Sequence, residues 1–392
     1  MTYSPSARQR QRFPALVDKA YFNYGGQGPM AQSCLTAIQE SYRAIQQQGP
    51  FSIQVGQWLK TEDSATRQML AEELGVPTET VTFTEDVTVG CNIALWGFDW
   101  QPGDHILLSD CEHPGIIATI QELERRFQVE VSVCPLLETL NQGDPTAVIA
   151  QYLKPNTRLM VISHILWNTG QVLPLQEIMQ LCHQRLAGIV HVLVDAAQSV
   201  GILPLNLVES DVDFYAFTGH KWLCGPEGLG GLYVSQAARS VLSPTFIGWR
   251  GIQMDQTGKP VGWKPSGQRY EIATSAYPLY AGLREAITLN RRWGSARERY
   301  QRICELSELL WKQLAAIDRV QCLRTAPPES GLVSFKLTTG MSHAAAVEYL
   351  ESQGIYVRTI LHPNCIRACV HYFTQESEIE KLVQAIRDLP KL

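Results

Sequence analysis

Apolar positions through the first two-thirds of the chain switch between a helical and an extended period, and that switching orders the elements. Segment 62–74 (EDSATRQMLAEEL) is helical, 105–110 (HILLSD) extended, 116–127 (IIATIQELERRF) helical and 129–133 (VEVSV) extended. The rhythm continues through an extended 158–163 (RLMVIS), a helical 175–187 (LQEIMQLCHQRLA), the apolar strands 189–195 (IVHVLVD) and 212–218 (VDFYAFT), and a closing 229–234 (LGGLYV). This is an α/β pattern, and it predicts a large domain over residues 17–260.

Segment 257–268 carries glycines, prolines and lysines with little periodicity, which suits a mobile loop or crossing linker. Beyond it the pattern changes. A long helical stretch, 283–317, leads to an extended 331–337 (GLVSFKL), a helix at 343–354, strands at 355–359 and near 365–372, and a final helix at 376–389. Residues 261–392, joined by 1–16, therefore read as a smaller α+β domain. No internal repeat or low-complexity tract interrupts it.

The 392 residues are 45% hydrophobic and 18% charged, enough apolar material for two cores. A net charge of -5 and a pI near 6.0 provide no field for nucleic acid or an anionic membrane, so neither is an expected partner. Ten cysteines lie scattered without the spacings of zinc or redox motifs, which points to reduced thiols and no metal. No apolar h-region follows the amino terminus and no apolar run approaches a membrane span, so the expected location is cytoplasmic.

The chemistry concentrates in two motifs. Asp195 closes the buried run VLVD, and Lys221 follows 26 residues later in DFYAFTGHKWLCGPEGLGG. An acid ending one strand and an amine just past the next share a rim of a parallel sheet, where α/β folds bind ligands. The amine can form a Schiff base with the aldehyde of pyridoxal phosphate, and the carboxylate can keep the pyridine nitrogen protonated. Taken alone, Asp195 could instead cap the following AAQS helix, and a lone lysine is usually solvated.

Further candidates surround this pair. Gln198, one turn beyond Asp195, could reach the phenolic oxygen; so could Asn168, in the loop ILWNTG. Thr218 and His220 could serve the phosphate. A helix start in FTEDVTVGCNIALW offers Val87, Thr88 and Val89 as a second phosphate cradle, although an ordinary N-cap explains the same letters. His113, in SDCEHPGII, could lie on the open ring face or cap its helix.

At these residues the chain resembles the class V aminotransferase family of fold-type I pyridoxal phosphate enzymes, which includes cysteine desulfurases, kynureninases and isopenicillin epimerases. The resemblance runs from YFNYGGQGPM at Tyr21 to the terminal helix and is most specific in VDAAQSVG and TGHKWLCGPEGLGGLYV. It implies a mainly parallel seven-stranded sheet in the large domain. It also implies the Schiff base on Lys221, pyridinium pairing on Asp195, a phenolic-oxygen contact from Gln198, a ring stack on His113 and phosphate contacts from Thr88, Thr218 and His220. A homodimer with shared sites is implied too, Thr274 in TSAYP reaching the partner's phosphate. Arg367, in CIRACVHYF, matches the arginine that grips the substrate α-carboxylate.

Within the family the resemblance leans to the L-cysteine/cystine C–S lyases. Only eight residues separate Arg358 from Arg367, too few for the mobile cysteine loop of a desulfurase, although Cys365 sits two positions before Arg367. The expected reaction is β-elimination of cystine, with cysteine also considered, to pyruvate, ammonia and a persulfide or sulfide. Arg358 would bind the distal carboxylate, and the persulfide could pass to a sulfur-acceptor protein in iron–sulfur cluster assembly. A cysteine desulfurase is the main rival; a transaminase or epimerase on the same scaffold and a cofactor-free scaffold are the others. A nicotinamide enzyme is weaker, since GPEGLGG lacks the G-x-G-x-x-G placement.

Overall fold

The computed structural model describes residues 5–184, 188–338 and 340–390. Its main sheet comprises β1 (Val81–Thr84), β2 (His105–Ser109), β3 (Glu130–Cys134), β4 (Thr157–Ser163), β5 (His191–Asp195), β6 (Phe214–Thr218) and β7 (Gly230–Val234), in the order β1-β7-β6-β5-β4-β2-β3. Only β7 runs antiparallel to its neighbours, so the mainly parallel sheet of seven strands is as expected. β1 escapes the sequence reading because VTFT is short and polar at every second position.

The continuous apolar runs have a direct cause. Successive side chains of one strand enter opposite faces, and here each face has its own core. Met160, Ile162, Val192 and Val194 pack on one side, and Leu159, Val161 and Leu193 on the other. Each such buried side chain contributes about 1.5–3 kcal/mol of transfer free energy, so a polar residue has no stable place in either row.

A second, antiparallel sheet is formed by β8 (Val320–Cys322), β9 (Leu332–Leu337), β10 (Arg358–Ile360) and β11 (Cys365–Cys369), in the order β8-β9-β11-β10. The strand expected at 355–359 is two pieces, because Ile355–Tyr356 leaves this sheet to pair in parallel with Ala20–Tyr21. Consequently Ala20 and Phe22 join the core of the second sheet, past the boundary expected at residue 17.

Packing also crosses the boundary expected at 260. Tyr280, Leu283 and Ile287 belong to a core of the main sheet, and the Thr82 hydroxyl donates to the Gly267 carbonyl at 2.7 Å. The stretch expected as one helix over 283–317 is two helices, Pro278–Trp293 and Ala296–Ala315. Gly294 breaks the run, and Ser295 starts the second helix with a reciprocal capping box to Glu298. Segment 257–268, expected as a loop, contributes Pro260–Trp263 to an antiparallel ribbon with Ile252–Met254. The helix expected over 175–187 spans Leu175–His183; residues 185–187 lie outside the described residues.

Candidate active site

The parallel strands deliver their last residues to one rim. Ser163 ends β4 opposite Asp195 of β5, and Asp195 lies opposite Ala216 of β6. A cleft of about 250 Å³ opens there, lined by Asp195, Lys221, His113, His220, Arg358 and Arg367 among others. The second sheet supplies the two arginines, so residues far apart in the chain close one cavity.

Lys221 follows β6 in a turn closed by Cys224 N–H to the Lys221 carbonyl at 3.0 Å and Gly225 N–H to the Gly219 carbonyl at 2.9 Å. Gly28 packs so closely on this turn that a Cβ there would stand 2.1 Å from the Lys221 carbonyl oxygen. The backbone is therefore fixed from both sides. Burial pushes the Lys221 amine down to about 8, against the attraction of Asp195, and Arg367 and Arg358 add to the lowering. Asp195 is 6% exposed, and one of its oxygens accepts the Ala197 amide at 2.9 Å. Burial raises its pKa, which marks a carboxylate short of a cation.

His113 lines the cleft and also caps the helix Pro114–Phe127, its Nδ1 accepting from Gly115 N–H at 3.2 Å. The capping reading of this histidine is observed, and its place in the lining leaves the ring-face reading open to it. Burial lowers its pKa. Gln198 lines the cleft with Nε2 donating to the Gly25 carbonyl at 2.9 Å and Oε1 accepting from Trp222 Nε1 at 2.8 Å, which leaves one amide hydrogen free of these two bonds. The Thr218 hydroxyl is 2.6 Å from His220 Nδ1; His220 lines the cleft.

Helix Val87–Gly97 points its amino terminus at the cleft, with Asp86, Val87 and Thr88 in the lining. Val89 is not. Its amide donates to the Asp86 carboxylate at 2.9 Å, so the N-cap already uses the third cradle donor.

Asn168 is also placed differently from the expectation. Its Nδ2 donates to the His362 carbonyl at 3.1 Å and its own carbonyl accepts from Ser334 Oγ at 2.7 Å, so the residue ties β9 and the turn before β11 to the main sheet. The neighbouring Trp167 faces the cleft instead. Thr274 lies exposed before helix Pro278–Trp293, outside the lining of this cleft. Cys365 is buried outside the lining as well, and desolvation pushes its thiol up to about 11.

Sequence reasoning missed Gly25, Gly26, Asp86, Ser163, Ile165 and Trp167 in the lining. It also missed Glu112, buried at the same rim, which accepts from Ser109 Oγ at 2.5 Å and from Ser163 N–H and Oγ at 3.0 and 2.9 Å. Burial raises this carboxyl to about 8. The doublet Gly25-Gly26 was a usable signal, since close backbone approach needs glycine.

Arg358 and Arg367 stand directly opposite each other across β10 and β11. Facing like charges are unfavourable in a sheet, and among the described residues neither guanidinium has a carboxylate within ion-pair distance. Arg367 is 2% exposed and donates from Nη1 to the Trp167 carbonyl at 2.7 Å. Two such cations at one cleft form a receptor for anions.

An aldehyde, a basic ring nitrogen and a phosphate match this donor set: a perturbed lysine amine, a buried acid without its cation, and a helix amino terminus beside His220 and Thr218. Comparison with known proteins agrees. The family model for aminotransferase class-V matches residues 20–383, and the chain belongs to that family. A cysteine desulfurase of Escherichia coli is 29% identical over 430 residues, covering all of both chains. A structure of the cystine C–S lyase C-DES with its reaction product cysteine persulfide shares 51% identity, with a TM-score of 0.94 over 96% of this chain and 99% of that one. A C-DES mutant with glycine covalently linked to its PLP cofactor shares 50% identity, with a TM-score of 0.95 over 97% and 99%. The cofactor of this protein is pyridoxal phosphate, and the protein is an enzyme of the carbon–sulfur lyase type.

Proposed function

We propose that this enzyme cleaves L-cystine by β-elimination, giving pyruvate, ammonia and cysteine persulfide. The carrying observation is the arginine pair Arg358 and Arg367, facing one cleft without acidic partners among the described residues, because cystine brings two α-carboxylates. Arg367 binds the reacting half and Arg358 the distal one.

Bound through Lys221, pyridoxal phosphate supplies an electron sink conjugated to the substrate Cα. Asp195 would hold the proton on its ring nitrogen, the amides of Val87 and Thr88 with Thr218 and His220 would serve its phosphate, Gln198 would serve its phenolic oxygen, and His113 would cover the ring. The Lys221 amine, freed when the substrate amine takes its place on the cofactor and held near neutrality by burial, would remove the α-proton at Nζ. The Cβ–S bond then breaks with both electrons moving to sulfur. A persulfide is more acidic than a thiol, so it leaves without a strong general acid. The three-carbon remainder hydrolyses to pyruvate and ammonia.

The compact turn 361–364 between the arginines, and the buried Cys365 behind it, support elimination over sulfur transfer to a protein cysteine. Purified enzyme given cystine should release pyruvate in proportion to sulfane sulfur, and Cys365→Ala should turn over undiminished. Alanine as product would instead make it a desulfurase, accumulated pyridoxamine phosphate a transaminase, and inversion at Cα an epimerase. The proposal extends to a cytoplasmic homodimer in which Thr274 reaches the partner's phosphate, and to delivery of the persulfide to an acceptor protein for iron–sulfur clusters.

A further inference from the structure

Asp86 puts a negative charge where the cofactor needs a receptor for one. It is the N-cap of helix Val87–Gly97 and lines the cleft beside Val87 and Thr88. Its carbonyl takes the first intrahelical bond, from Gly90 N–H at 3.2 Å, so the amides of Val87 and Thr88 precede the helical ladder. Its carboxylate takes the third amide, that of Val89, at 2.9 Å. The amides of this helix start are thus divided: two are left for a ligand, and one is already neutralised by an acid.

The other side of the phosphate site closes around the same residue. Gly230 of β7 pairs with Thr84 of β1 on one side and with Thr218 of β6 on the other. A Cβ on Gly230 would lie 3.1 Å from both Asp86 Cα and Thr218 Cα, so only the bare glycine separates the two. The Thr84 hydroxyl fixes this main chain by donating to the Asp86 carbonyl at 2.8 Å. Asp86 also acts on His220, whose pKa is lowered first by burial and then by Lys221, and raised by Glu227 and Asp86. Among the described residues no cation stands within ion-pair distance of the Asp86 carboxylate.

A helix start attracts an anion, whereas an unpaired carboxylate beside it repels one. Capping does not require that charge, since asparagine and serine cap a helix as well as aspartate does. We propose that Asp86 is an affinity-setting residue for the cofactor: its carboxylate stands beside the phosphate and weakens the hold of Val87, Thr88, Thr218 and His220 on it. This rests on those four residues as the phosphate site.

Holoenzyme of the wild type and of Asp86→Asn, which keeps the cap and loses the charge, is dialysed to equilibrium against graded pyridoxal phosphate or against pyridoxal. Bound cofactor is read from its absorbance. The variant should hold pyridoxal phosphate about 10-fold more tightly, the scale of one like charge partly screened by solvent, while pyridoxal, which has no phosphate, should shift by less than about 2-fold. Asp86→Ser should behave alike, which frees the result from the folding of a single variant.

Unchanged or weaker binding of pyridoxal phosphate by both variants overturns the inference. Equal tightening toward pyridoxal overturns it too, by placing the effect on the ring pocket. Thr218→Val and His220→Gln test the site beneath it: each should weaken pyridoxal phosphate and spare pyridoxal. If they do and the Asp86 variants bind as wild type, the phosphate site stands and only the role of Asp86 falls. If neither changes the ratio of the two affinities, the phosphate lies elsewhere and both readings fall.

Discussion

Single residues carry the chemistry here through their surroundings. Lys221 and Asp195 were legible because a charged residue ending a continuous apolar run has nowhere to go except a pocket. Asn168 was not, since choosing between it and Trp167 requires knowing which way the chain turns after β4. Gly25 shows the same limit. A Cβ at Gly25 would lie 2.9 Å from Arg367 Cζ and 3.0 Å from Cys369 Sγ, so Gly25→Ala should displace the guanidinium. We expect KM for cystine to rise about 10-fold or more in steady-state assays, the loss of one charged hydrogen bond. Lys221→Ala should lower kcat by about 10²–10⁴-fold, the usual worth of a positioned base, measured as pyruvate release.

Helices and strands follow local rules, which made most of them readable, and deviations occur where tertiary contacts intervene. The break at Gly294 is local and is written in the capping box Ser295–Glu298, whereas the division at Val357 depends on the distant Ala20–Tyr21. At the sheet end away from the cleft, helix Leu175–His183 is tied to Asp213. His183 Nε2 lies 2.9 Å from Asp213 and Nδ1 3.0 Å from Asp211, and Val192 N–H donates to Asp213 at 2.8 Å. Hydrogen bonding to Asp213 leads in raising the His183 pKa to about 9, while its own partners lower that of Asp213. The histidine's ordinary value is about 6.5. Its stabilisation is therefore complete below about pH 6.5 and lost as pH rises through about 9; the Asp213 part is lost as pH falls through its lowered value. Thermal melts of wild type and His183→Gln should differ most near pH 6 and converge above pH 9.

The whole molecule is organised by contacts between segments distant in the chain. Glu271 accepts Arg67 at 2.8 Å and Arg250 at 2.5 Å, and Arg250 also reaches Asp63 at 2.9 Å. This buried network seats the segment around Arg250 and Glu271 on helix Ile53–Leu74. Removing one partner strands the others, so Glu271→Ala should cost about 3–5 kcal/mol in denaturant unfolding. The same segment presents Phe246, Ile247 and Trp249 at 56–59% exposure, a surface suited to the proposed second copy. Trp249→Glu should shift the mass in sedimentation analysis from dimer to monomer.

The amino-acid sequence alone determined the α/β rhythm and the acid and amine at the strand ends, because each follows from periodicity or from a charge that local structure cannot hide; the arginine pair was legible only through the resemblance to the family. Tertiary structure alone decided that Trp167 rather than Asn168 faces the cleft and that Gly25 meets Arg367. Those outcomes depend on side-chain direction and on partners up to hundreds of residues away, and no local pattern in the chain encodes either.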